Sequence, residues 1–143
     1  MDLPGASSHL PSMEVPRKMR PTRGPLVAVI DDDESVRESL PDLIREFGYA
    51  AQSFSSAEEF LASDGLSRAG CLILDVVMPG MTGLELQKEL NVRGQRTPVI
   101  FITAQKDDGL RARVLEGGAV ELLTKPFSDT ALLAALRAAF PGG

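Results

Sequence analysis

Asp31, Asp32, Asp75, Thr103 and Lys125 are the residues of this sequence that could do chemistry together. They stand at or just past the ends of four short apolar runs, residues 26–30, 71–74, 98–103 and 120–123. Brought to one place, three carboxylates repel by ~4 kcal/mol per pair at 4 Å and an effective dielectric near 20, so they must protonate or hold a cation. The candidate ligands are hard oxygens, carboxylates with the backbone carbonyl of Val77 as a further candidate, and no histidine or cysteine stands with them. Such a set prefers Mg²⁺ over zinc or copper, and Mg²⁺ commonly keeps waters and phosphate oxygens among its ligands. Lys125 as a point charge and the Thr103 hydroxyl as a donor can then serve phosphoryl oxygens. A carboxylate can also be the attacking group, giving an aspartyl-phosphate. The adjacent Asp31 and Asp32 suit a metal, whereas Asp75 stands alone at a central strand, so Asp75 is the expected nucleophile.

The elements that must position these groups alternate. Residues 26–30 form a continuous β-branched-rich run of the kind found in strands buried on both faces of a parallel sheet. A helix follows, with Val36, Leu40, Leu43, Ile44 and Phe47 on one face and Gly48 as its stop. Pro41 lies inside it, and the lost hydrogen bond, at ~3 kcal/mol or more, predicts a kink near Leu40 or a helix in two pieces. Residues 50–54 read as a lesser strand. Ser55 or Ser56, spaced three residues before Glu58 or Glu59, offers a capping box for a short second helix. Residues 71–74, 98–103 and 120–123 are the remaining strands. A third helix carries Leu84, Leu86 and Leu90, a fourth is capped by Asp107 or Asp108 and ends at Gly117-Gly118, and a fifth is capped by Ser128. Lys125-Pro126 is a place where a cis bond, at ~5 to 6% of such bonds, is open.

Five strands alternating with five helices predict a three-layer α/β fold, a doubly wound parallel sheet with right-handed crossovers. Ligands of such sheets bind beyond the carboxyl ends of the strands. Strand 2 ends on Phe54-Ser55 and offers nothing ionic, which places it at an edge and gives the order 2-1-3-4-5.

Length and composition narrow the class. The 143 residues, 43% hydrophobic and 24% charged, match one domain with its own core. The lone Cys71 cannot make an internal disulfide, and nothing approaches the ~18 to 20 apolar residues of a membrane span. A cytoplasmic address is expected. Residues 1–25 contain five prolines, four basic and two acidic residues, and read as a disordered Pro-rich basic leader. The remaining residues carry a net −7 of the total −5, so unaided nucleic-acid binding is not expected. Residues 26–140 are the expected domain, and 141–143 a short tail.

Several stretches then resemble one family. Val29-Ile30-Asp31-Asp32-Asp33-Glu34, the run from Leu74 through Asp75 and Met78-Pro79-Gly80 to Glu85, Ile102-Thr103-Ala104 and Lys125-Pro126-Phe127 are similar to the blocks of two-component response-regulator receiver domains. Residues 54–61 and 125–129 resemble the FixJ-like branch in particular. The resemblance implies a flavodoxin-like (βα)5 fold, a histidine kinase as phosphoryl donor to Asp75, and Mg²⁺ held by Asp31, Asp32, Asp75 and the Val77 carbonyl. Thr103 and Lys125 would bind phosphoryl oxygens. It also implies a switch in which an aromatic residue three positions before the lysine turns inward and remodels the face of helix 4, strand 5 and helix 5, through which a homodimer or a downstream protein would bind. That position is Leu122, so the coupling is expected to be weaker or differently built. Receivers of this branch usually precede a helix-turn-helix domain, whereas this sequence ends three residues after Phe140. A stand-alone receiver, a phosphate sink without output and a receiver cut from a longer regulator all stay open. A haloacid-dehalogenase-like phosphatase is the enzymatic alternative, but its acid/base Asp two residues past the nucleophile is Val77 here.

Overall fold

In the computed structural model, which describes residues 26–140, strands β1 (Leu26–Ile30), β2 (Ala50–Phe54), β3 (Ala69–Asp75), β4 (Val99–Thr103) and β5 (Glu121–Thr124) form one sheet. All pairings are parallel and the order is β2-β1-β3-β4-β5. The helices are α1 (Glu34–Glu46), α2 (Ala57–Ala62), α3 (Gly83–Val92), α4 (Asp108–Glu116) and α5 (Asp129–Ala139). A single helical turn, Gly65–Arg68, leads into β3 and was not legible as periodicity. The leader 1–25 and the tail 141–143 lie outside the described residues.

Strand residues alternate between two cores, as the two-residue period requires. Val27, Val29, Ile73 and Ile100 pack with Leu40 and Ile44 of α1 and Leu132 and Leu136 of α5. Ala28, Ile30, Leu74 and Phe101 face the opposite way, onto Phe60, Leu86 and Val114 of α2, α3 and α4. Leu122 belongs to this second core and is buried. Both faces of the central strands are thus covered, which is why they read as unbroken apolar runs. Strand β2, only half-buried, lies at the edge. Tyr49, just before β2, stacks on Phe140 at a centroid distance of 5.2 Å.

The caps explain where the helices begin. Asp33, Ser56, Asp107 and Ser128 each accept a backbone N–H of the first turn of α1, α2, α4 and α5. Helix α3 starts in a full capping box between Thr82 and Glu85, a Thr-x-x-Glu signal present in the sequence. Of the two outcomes expected at Pro41, the helix in two pieces is corrected: α1 is a single thirteen-residue helix with Pro41 inside it. Leu40, Pro41 and Ile44 are all buried, so apolar packing of this face offsets the hydrogen bond that proline removes. The Lys125-Pro126 bond is cis.

Candidate functional site

Register builds the site. Ile30 pairs with Leu74, so the next residues, Asp31 and Asp75, stand side by side at the ends of β1 and β3. Asp75 is level with Ile102, one residue before Thr103, and Thr103 is level with Thr124, one residue before Lys125. Four strand ends therefore deliver their polar residues to one corner, at the carboxyl edge where such sheets bind ligands.

The three consecutive aspartates sort into different environments. Asp31 is fully buried; its Oδ1 accepts the Asp33 N–H at 2.9 Å and its Oδ2 meets Lys125 Nζ at 2.9 Å. Asp32 is exposed, and with Asp31 and Asp75 it can bring carboxylate oxygens within 4.8 Å of one another. Asp33 caps α1, and its hydrogen bonds from the Ser35 side chain and backbone hold its carboxyl below the usual range. Arg37 of α1 donates to the Asp31 carbonyl at 2.9 Å, anchoring the turn from behind.

Asp75 is 7% exposed, and burial together with the neighbouring Asp31 charge pushes its carboxyl up to about 7. Two groups favour its charged form: Lys125 Nζ at 3.9 Å and, more weakly, the Val77 N–H at 3.4 Å from Oδ1. Burial alone would lower the Lys125 ammonium, but its hydrogen bond to Asp31 and the charges of Asp75, Asp31 and Asp33 hold it above the usual lysine value. One lysine thus faces at least two carboxylates. The charge is unbalanced, and an all-carboxylate donor set of this kind fits a hard divalent cation such as Mg²⁺.

Asp75, Val77, Thr103, Ala104, Gln105 and Lys125 line an open depression of about 210 Å³. Thr103 is buried and its Oγ1 accepts the Gln105 N–H at 3.2 Å, so the hydroxyl proton is left for another acceptor. The Val77 side chain is 62% exposed at the mouth. Every site residue named from the sequence is therefore at this corner. Cys71 is instead a core residue whose thiol burial pushes up to about 12, which removes it as a nucleophile.

Two residues at the site were not singled out by sequence reasoning. Gly83 opens α3 directly against β3: its N–H donates to the Val76 carbonyl at 3.0 Å, and a Cβ there would lie 2.2 Å from the Asp75 carbonyl oxygen. The signal was a glycine at the first helical position after Thr82, where almost any other residue propagates a helix better. Glu58, read as a cap candidate, reaches the β3–α3 loop instead, and only the fold could show that.

A doubly wound parallel sheet with a buried acidic pocket at its carboxyl edge defines a ligand-binding α/β domain. The particular family follows from comparison: the model of the response regulator receiver domain matches residues 27–137, and the chain belongs to that family, the receivers of two-component systems. Among curated relatives, the response regulator protein TodT of Pseudomonas putida is 43% identical over 117 residues, 82% of this chain and 52% of TodT. The transcriptional regulatory protein FixJ of Azorhizobium caulinodans is 46% identical over 112 residues, 78% of this chain and 53% of FixJ. The chain thus spans about half the length of these relatives. The crystal structure of FixJ-N superposes with a TM-score of 0.76 at 34% identity, covering 85% of this chain and 98% of that one. No helix among the described residues is long and apolar enough to cross a membrane.

Proposed function

We propose that this receiver accepts a phosphoryl group on Asp75 from the phosphohistidine of a histidine kinase, with Mg²⁺ as cofactor. The observation that carries the reading is the convergence of Asp31, Asp32, Asp75, Thr103 and Lys125 at one strand edge in a chain of this family. An Asp75 carboxylate oxygen forms a bond to phosphorus as the phosphorus–nitrogen bond breaks, and the electron pair returns to the imidazole of the donor. Asp31, Asp32 and Asp75 with the Val77 carbonyl would hold Mg²⁺, which supplies neutralisation of the charge gathered on the phosphoryl oxygens. Lys125, now paired with Asp31, would turn its ammonium to one of those oxygens. The Thr103 hydroxyl would donate to another. The product is a mixed anhydride, so the molecule is a stoichiometric acceptor rather than a turnover enzyme.

Incubation of the full chain with acetyl phosphate and Mg²⁺ should add one phosphoryl group, read as a mass increment mapped to Asp75. Asp75→Asn should take none; labelling that survives this substitution overturns the assignment, as does an unlabelled wild-type chain.

Hydrolysis of the anhydride needs an oriented water. At the mouth, Val77 offers no polar side chain and Gln105 no charge, so a long-lived phosphoryl state is expected. The decay of the labelled protein at neutral pH should run over many minutes or longer, and a half-life of seconds would refute this. The output would be read on the face formed by α4, β5 and α5, by a second copy or by a downstream protein. With Leu122 as a buried aliphatic on the α4 side of the sheet, a sink without output is the second reading. A phosphorylation-dependent change in mass by light scattering separates the dimer from the sink.

A further inference from the structure

Loop 77–82 carries Val77 past Asp75 and turns back through Gly80, at φ +74°, into the Thr82 cap of α3. Its hydrogen bonds are few: Val77 N–H to Asp75, the Thr82 cap exchanged with Glu85 and Leu86 of α3, and Met81 N–H to Glu58 Oε2 at 2.9 Å. Among the described residues, the last is the only hydrogen bond to this loop from an element other than β3 and α3. Glu58 comes from α2, the helix that follows the edge strand β2, and its neighbour Glu59 does the ordinary local work by accepting from the Ser55 N–H and hydroxyl. Glu58 is thus left free to cross over. The fit is close on both sides, since a Cβ at Gly80 would come within 2.8 Å of Glu58 Oε2. Only glycine allows both the positive φ and the approach of the carboxylate.

We propose that Glu58 is a positioning residue for the phosphoryl site: by holding the Met81 N–H it fixes loop 77–82, and with it the backbone of Val77 beside Asp75. The inference rests on the reading of Asp75 as the phosphoryl acceptor. What matters is an acceptor oxygen at the reach of a glutamate side chain, and charge is secondary. Glutamine keeps that oxygen, aspartate is one methylene short, and alanine offers nothing.

The test uses the full chain and three readouts: hydrogen exchange at the Met81 amide in metal-free protein, the Mg²⁺ Kd by titration calorimetry without donor, and the rate of labelling by acetyl phosphate. Glu58→Ala and Glu58→Asp should exchange Met81 about tenfold faster, the order expected when a hydrogen bond is lost. Both should bind Mg²⁺ and take label several-fold more weakly, while Glu58→Gln recovers most of all three. Unchanged Met81 exchange in Glu58→Ala overturns the contact. Faster exchange with wild-type Mg²⁺ Kd and labelling overturns the positioning role, and so does a Glu58→Gln that behaves like Glu58→Ala. A wild-type chain that takes no label sinks the phosphoacceptor reading alone, because exchange and Mg²⁺ Kd still decide whether Glu58 holds the loop over the acidic cluster.

Discussion

Gly83→Ala is expected to destabilise the fold by about 3 kcal/mol or more, a loss typical of severe overpacking rather than of a helix substitution. Helix propensity points the other way, since alanine is better than glycine in a helix by ~1 kcal/mol. Sterics decide the sign. The new Cβ would meet the Asp75 carbonyl oxygen at 2.2 Å, the Asp75 carbonyl carbon at 3.1 Å and the Val76 Cα at 3.1 Å, all of them backbone atoms of the central strand end that cannot rotate away. Relief requires α3 to move off β3, which uncovers Leu86 and Leu90 and drags the Asp75 backbone with it. A fall in Tm of roughly 10 °C is expected by calorimetry. Gly94→Ala serves as the comparison: it has φ +76° but nothing within 4 Å, so it should lose only about 1 kcal/mol from left-handed backbone strain. Equal losses at the two positions, or a Gly83→Ala protein as stable as the parent, would refute the argument.

Asp75→Asn should, by contrast, raise the stability of the metal-free protein, and the gain should depend on pH. The folded carboxyl titrates near 7 and the unfolded one near 3.8, so between these values the native state keeps a proton that the unfolded chain has released. Wild-type stability therefore falls as pH rises through that window. Asparagine has no such loss. The difference should be small below pH ~4 and reach on the order of 2 kcal/mol by pH ~8, less than the full shift allows because solvent in the open depression beside Asp75 screens its charge. Adding Mg²⁺ should shrink or reverse it, since binding to the wild-type native state alone adds about 2.7 kcal/mol at a hundred times Kd. Chelator-treated proteins melted from pH 4 to 8 check this; parallel curves for the two proteins would remove the claim that the site stores repulsion.

The fold and the site were legible to different depths for definable reasons. Buried parallel strands have no solvent face, so 26–30 and 98–103 stand out as apolar runs and the polar residues that end them are conspicuous. Strand order followed from chemistry, because β2 alone ends without one of the residues expected at the site. What depends on three-dimensional approach was not readable. Nothing in Asp31-Asp32-Asp33 says that the first is buried against Lys125, the second open and the third a cap. Glu58 and Glu59 are the same residue type side by side, yet Glu59 bonds within its own turn and Glu58 reaches the β3–α3 loop. A break at Pro41 was read from local cost alone, whereas the packing of α1 keeps the helix continuous.

The Tyr49–Phe140 stack has a practical consequence for spectroscopy. The chain has no tryptophan and one tyrosine, so its only strong intrinsic emitter is this ring. Tyr49 enters β2 at the amino edge of the sheet and rests on the residue that closes α5, at the opposite end from the acidic corner. Its emission is expected to report the docking of the last helix, and therefore unfolding, with little direct response to a cation at the acidic corner. The same geometry makes this protein a clean background for a reporter fluorophore placed at the carboxyl edge.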